Sequence, residues 1–270
     1  MSTVHKPPSR TRQPGAASFR YGYRYVRKKL PNGRVGFDRV PLTLEDVLHP
    51  QFGDVHVLSS AHSLDCRYTH DVLDAWLADD PSAAVLSDVG VFWDEPELEH
   101  HSPDITVILG VQRRQDWSSF HVKTEGVRPV LIVEVTSPAT RVNDVKTKVE
   151  EYAQARVPFY VIADARGRGK KRRLKLISYR LERGAYKPVE LDEQGRAWLE
   201  PVRLWLGTAV NPETGGDRLV LIDPATGEEI GNYTAISRAL AAAAQSKRES
   251  EARIRELEAE VRRLRGQASR

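Results

Sequence analysis

The segment PVLIVEV, Pro129 to Val135, constrains this chain more than any other stretch of its sequence. Leu131, Ile132, Val133 and Val135 form an apolar run of the kind found in strands covered on both faces. Glu134 sits inside it. Burying a carboxylate costs several kcal/mol unless a partner charge, hydrogen bonds or a metal compensates it. The fold therefore has to supply a two-sided sheet and something to balance Glu134.

Strand alternation sends Ile132, Glu134 and Thr136 to one face and Leu131, Val133 and Val135 to the other. The next helix, with Asn143 as N-cap and an end near Ala155, offers a partner. At about 100° per residue, Val145, Lys148, Val149 and Tyr152 share roughly a third of its circumference. Lys148 is thus expected to face the sheet and Lys146 to face water. By itself a Lys148–Glu134 pair reads as a structural ion pair. Asp104 opens another strand directly after Pro103, a place where a lone Asp reads as a turn or cap. On an amphipathic helix from about Ser63 to Ala78, Asp65 falls on the stripe of Leu64, Tyr68, Val72 and Trp76, with His62 towards its edge.

Inward acids on neighbouring strands, a third on a helix and an inward lysine together have a chemical meaning. Hard oxygen ligands in twos or threes suit Mg²⁺, with Mn²⁺ as the alternative. A nearby lysine can hold a water or a phosphate oxygen, and that combination hydrolyses phosphodiesters. A zinc hydrolase built on His100, His101 and Asp104 is disfavoured, because adjacent residues of an extended chain point in opposite directions.

The remaining chain reads as an α/β core on a mixed sheet. Strands are expected at about 84–93 and 104–111, at PFYVIAD, RRLKLISYRL and AYKPVEL, and in a hairpin at 21–41 turning at Pro31-Asn32-Gly33. Thr43 is a candidate cap for a short helix closed by Pro50. The domain reading is a disordered basic arm at 1–20, the hairpin, a core domain at 42–232 and a helix at 233–270. In that helix Leu240 and Ala243, then Ile254, Leu257, Val261 and Leu264, keep heptad spacing. Lys247 and Ser250 weaken its middle, and a coiled-coil homodimer is the expectation.

Charge is unevenly spread. Residues 1–40 carry ten Lys/Arg against Asp38 alone, whereas 41–236 hold 22 basic and 31 acidic residues. A second basic run, Arg166 to Lys175, interrupts the acidic body. Basic ends on an acidic body point to a polyanionic partner. The single cysteine, Cys66, excludes an internal disulfide and argues against a Cys-based zinc site. No apolar stretch is long enough for a membrane span and no signal-peptide core is evident, so a cytoplasmic protein is expected.

The strings SPD at 102–104, VEVTSPAT at 133–140 and DVKTKVEEYAQARVPFYVIAD at 144–164 resemble the Uma-two family of bacterial endonucleases. That family belongs to the PD-(D/E)XK nuclease superfamily, and the resemblance implies a restriction-endonuclease-like αβββαβ core. It implies Asp104, Glu134 and the carbonyl of Val135 as the metal site, with Asp65 a candidate third ligand. The usual superfamily pattern has a lysine two residues after the glutamate, where this chain has Thr136; the resemblance moves that role to Lys148. The expected activity is metal-dependent cleavage of nucleic acid, DNA first. Arg27, Lys28, Lys29, Lys170, Lys171, Arg172 and Arg173 are the expected backbone contacts. The alternative is a catalytically inactive DNA-binding or scaffold protein of the same fold that oligomerises through its coiled coil.

Overall fold

A computed structural model describes residues 21–43, 45–46, 51, 53–56, 59–137, 141–231 and 233–268. The expected basic arm at 1–20 lies outside them, as do most of the short helix after Thr43 and its closing Pro50. What is described of that helix starts as expected: the Thr43 hydroxyl accepts from the Asp46 amide, and Asp46 accepts from the Thr43 amide, a reciprocal cap.

The centre is a six-stranded mixed sheet. Its strands are β4 (Ala83–Leu86), β6 (Ile105–Leu109), β8 (Pro129–Val135), β9 (Phe159–Arg166), β10 (Arg173–Glu182) and β11 (Ala185–Val189), in the spatial order β11-β10-β9-β8-β6-β4. All neighbours are antiparallel except β8 and β9, which run parallel. That pair needs a crossover, supplied by a π-turn at Asn143–Thr147 and helix α3 (Lys148–Gln154). With α1 (Ser60–Trp76) ahead of β4, the core order is α, three strands, α, strand.

Both faces of the sheet are covered, as the composition of β8 requires. Leu131, Val133 and Val135 join Val72 and Leu73 of α1 in one apolar cluster. A three-stranded meander completes that cluster: β12 (Ala197–Leu199), β13 (Leu204–Val210) and β14 (Asp217–Ile222). Ile132 points the other way, into a cluster with Tyr152, Tyr160, Phe120 and Trp93. Near it lie the short parallel pair β5 (Gly90–Phe92) and β7 (Ser119–His121) and the one-turn helix α2 (Val122–Glu125). The expected strand at 84–93 is two strands, because Asp88 takes a left-handed φ of 55° between them, a conformation Asp tolerates better than most residues.

Two helices differ from expectation. Ser59, not a later residue, caps α1 by accepting from the His62 amide, and the buried face is His62, Asp65, Cys66, Tyr68, Thr69, Val72 and Leu73. Leu64 and Trp76, which the sequence reading placed inside, are 54% and 42% exposed. Asn143 is not an N-cap; it is buried inside the π-turn, whose preceding residue Val142 is already helical.

Ahead of the core, β1 (Gly22–Lys29) and β2 (Val35–Pro41) form the expected hairpin around Pro31-Asn32-Gly33, with β3 (Val55–His56) added beside β1. After the core, α4 spans Tyr233–Ala268. Ile236, Leu240, Ile254 and Leu257 are exposed on it, while the side chains of Val261 and Leu264 lie outside the description. No helix among the described residues is long and apolar enough to cross a membrane.

Candidate active site

The β6–β8 register brings the first two acids together. Ile105 pairs with Val133, so one step further along this antiparallel ladder Asp104 faces Glu134. The Asp104 side chain accepts from the Val135 amide through Oδ2 at 2.7 Å, and its Oδ1 lies 3.2 Å from Nε2 of His62 on α1. Asp104 is thus pinned to the strand that carries Glu134.

Glu134 is 3% exposed. Its Oε1 accepts from Lys148 Nζ at 2.9 Å and from the Tyr152 hydroxyl at 2.8 Å. Oε2 accepts no hydrogen bond among the described residues. The face deduced for the crossover helix is therefore the observed one: Lys148 and Tyr152 point to Glu134, and Lys146 is exposed. Lys148 also approaches Oδ1 of Asp144 at 3.0 Å, an ion-pair contact without hydrogen-bond geometry. Asp144 is a buried acid that the sequence reading did not single out. The π-turn brings it onto the Lys148 side, and such turns recur at functional sites.

Electrostatics follow from burial and these contacts. Burial raises the Glu134 carboxyl to about 8, against the pull of Lys148. Burial works the other way on Lys148, but Asp144 and Glu134 overcome it and hold the ammonium charged. Burial would raise Asp104 as well; His62, Lys148 and the Val135 amide together bring it below the usual carboxylate value. His62 is lowered by burial but lifted to about 9 by Asp104 and its neighbours. Asp88, an exposed residue, is pushed up to about 6 by partial desolvation of its carboxyl and by Asp104.

The expectation for Asp65 needs correction. Its inward direction is right, yet its carboxylate is already engaged: Oδ2 accepts from Arg172 at 2.6 Å and Oδ1 from the Leu219 amide at 3.0 Å. The α1 group that does reach Asp104 is His62. Arg172 is corrected with it. At 6% exposure, and donating also to the Asp217 carbonyl, it is an interior residue that locks α1 to β14, not a surface contact. Lys170, Lys171 and Arg173 are exposed, as are Arg27, Lys28 and Lys29, although Lys28 pairs with Asp38.

Thr136, at the usual lysine position, is 1% exposed. Its hydroxyl contacts Asp164 and accepts from the Ala165 amide, tying β8 to β9. The zinc arrangement is excluded by hydrogen bonding: His101 accepts from Trp93 on Nδ1, and its Nε2 meets Glu151 at 2.7 Å. His62, Cys66 and Asp104 do present ligand atoms within 4.8 Å of one another. Burial and the surrounding carboxylates push the Cys66 thiol far up, so in the absence of a cation it is a neutral thiol. A cavity of about 530 Å³, lined by His62, Cys66, Arg67, His70, Asp88 and Trp117 among others, borders this corner.

Comparison with known proteins adds three findings. No curated protein matches the chain. A crystal structure described as "a putative nuclease belonging to DUF820", from Anabaena variabilis, is 13% identical over 60% of this chain and 92% of its own, with a TM-score of 0.43. The family model Uma2, described as "Putative restriction endonuclease", matches residues 53–210. That span is more than half of the sequence and contains Asp104, Glu134 and Lys148: the chain belongs to the Uma2 family.

Proposed function

We propose that the protein is a metal-dependent endonuclease that hydrolyses phosphodiester bonds in nucleic acid, DNA first. The observation that carries this reading is the convergence of Asp104, Glu134 and Lys148, from separate elements, on one buried point. The donor set fits a hard divalent cation: two carboxylates stand side by side, and one Glu134 oxygen lacks a hydrogen-bond donor among the described residues. Burial has also raised Glu134 to a value at which added positive charge would favour its anion. Asp104, Glu134 and the Val135 carbonyl would hold Mg²⁺ or Mn²⁺. Bound there, the ion supplies Lewis acidity towards a scissile phosphate.

The protein's own groups do the rest. Lys148 has three donors and two acidic neighbours, so one N–H remains to hold a water or a phosphate oxygen. Tyr152 and the Asp104–Val135 bond fix the direction of the two acids. His62, charged at neutral pH, holds Asp104 ionised. Exposed Lys170, Lys171, Arg173 and the hairpin cations would contact the phosphate backbone in a sequence-independent way.

A second reading has its own observation. Lys148 between Glu134 and Asp144 is also what a purely structural buried pair looks like, so the same fold could serve as an inactive nucleic-acid-binding scaffold. Supercoiled plasmid incubated with Mg²⁺, Mn²⁺ or EDTA separates the two. The nuclease reading expects nicking in the first two and none with EDTA. It also expects Asp104→Asn and Glu134→Gln to lose both nicking and the Mg²⁺-dependent rise in Tm. Equal Mg²⁺ stabilisation of wild type and variants would remove these acids as ligands.

A further inference from the structure

The β1–β2 hairpin presents two unlike faces. Pairing of Tyr23 with Pro41, Tyr25 with Arg39, Arg27 with Phe37 and Lys29 with Val35 assigns these eight residues to one face. That face contains three cations, three aromatics and no acid. Its aromatics and arginines alternate across the strands, and Arg39 lies 5.3 Å above the Tyr23 ring. Tyr25 and Phe37 are 54% and 59% exposed. Arg27, Lys29 and Arg39 form no ion pair among the described residues.

The acids gather on the other face. There Lys28 pairs with Asp38, and Arg24 pairs with Asp46 and Asp54. Val26 and Val40 are its exposed apolar groups. Among the described residues the first face is therefore left both unneutralised and aromatic. Flat rings exposed beside unpaired cations fit one chemistry well: unpaired nucleobases stacking on the rings while their phosphates meet the cations. In a duplex the base faces are occupied by their neighbours, so rings offer a duplex little. Cross-strand diagonal neighbours lie about 7–8 Å apart, which lets Tyr25 and Phe37 engage separate bases.

We infer that this hairpin face is a stacking platform for single-stranded nucleic acid, with Tyr25 and Phe37 as its base contacts and Arg27, Lys29 and Arg39 as its phosphate contacts. The inference rests on the nuclease reading only for the class of partner, and it lies outside residues 53–210 that match the family.

Binding in EDTA tests it without any cleavage. Full-length protein is titrated into a labelled mixed-sequence single strand and its duplex, with anisotropy as the readout. Tyr25→Ala and Phe37→Ala should each weaken single-strand binding about five- to a hundredfold, with the duplex nearly unaffected and the salt slope unchanged. Tyr25→Leu and Phe37→Leu, which keep an apolar surface without a stacking ring, should lose as much. Arg27→Ala should instead flatten the salt slope. Unchanged single-strand affinity, or equal losses for single strand and duplex, overturns the platform. Light scattering that shows these variants losing a dimer with binding intact would assign the face to a second copy and overturn it as well. Nicking that survives an unchanged platform leaves the nuclease reading standing. A platform that binds without any nicking leaves the inference standing alone.

Discussion

Lys148 and Lys146 are two residues apart and have opposite surroundings, one buried between two acids and one exposed. Lys148→Ala should lower plasmid nicking by orders of magnitude while Mg²⁺ still raises Tm, because both acids remain. Lys146→Ala should change stability by under about 0.5 kcal/mol and leave nicking intact. In the scaffold reading Lys148→Ala would destabilise by about 3–5 kcal/mol with no activity to lose, so Tm and nicking on both variants discriminate. His62 makes a separate prediction. Its folded value of about 9 lies above the ordinary histidine value. Its contribution is therefore complete below about pH 6.5 and lost as pH rises through about 9. Denaturant melts across that window should show wild type losing roughly 3 kcal/mol more than His62→Gln.

At the scale of elements, legibility depended on whether the signal was local. The β8 run and the crossover face could be read because periodicity within a dozen residues placed Glu134 and Lys148 toward each other. The face of α1 is legible in part: Asp65, Tyr68 and Val72 are buried as expected, whereas Leu64 and Trp76 are apolar yet exposed, and Thr69 is buried with its hydroxyl bonded to the Asp65 carbonyl. Arg172 and Asp65 each look anomalous alone, and each resolves the other across 107 positions that no sequence window spans. Asp144 was hidden by the π-turn, which ordinary helical angles do not anticipate. The β12–β14 meander was missed because β12 is only three residues long and β13 carries Gly207 in its interior, which weakens a strand signal. This division splits the expected phosphate contacts. Neutralising Lys170, Lys171 and Arg173 should weaken nucleic-acid binding uniformly and flatten its salt dependence. Arg172→Ala should instead lower Tm, by an amount equivalent to about 3–5 kcal/mol for a buried pair left half-made.

For the molecule as a whole, the exposed apolar residues of α4 raise the question of a second copy. Light scattering on full-length protein and on a chain truncated after Asn232 should show a dimer lost on truncation; two monomers at tens of micromolar would rule out the coil. The parallel β8–β9 pair has another outcome, which concerns time. Glu134 lies near the end of β8 and Lys148 opens the helix inside the crossover that this pair requires, and long-range parallel pairing is among the slowest events in folding. β9 then holds the crossover in place, its Tyr160 hydroxyl donating to the Asp144 carbonyl and its ring packing on Tyr152. In the nuclease reading a chain that has not yet added β9 lacks this support for its site, and after dilution from denaturant nicking should return no sooner than the near-ultraviolet signal of the packed tyrosines and tryptophans.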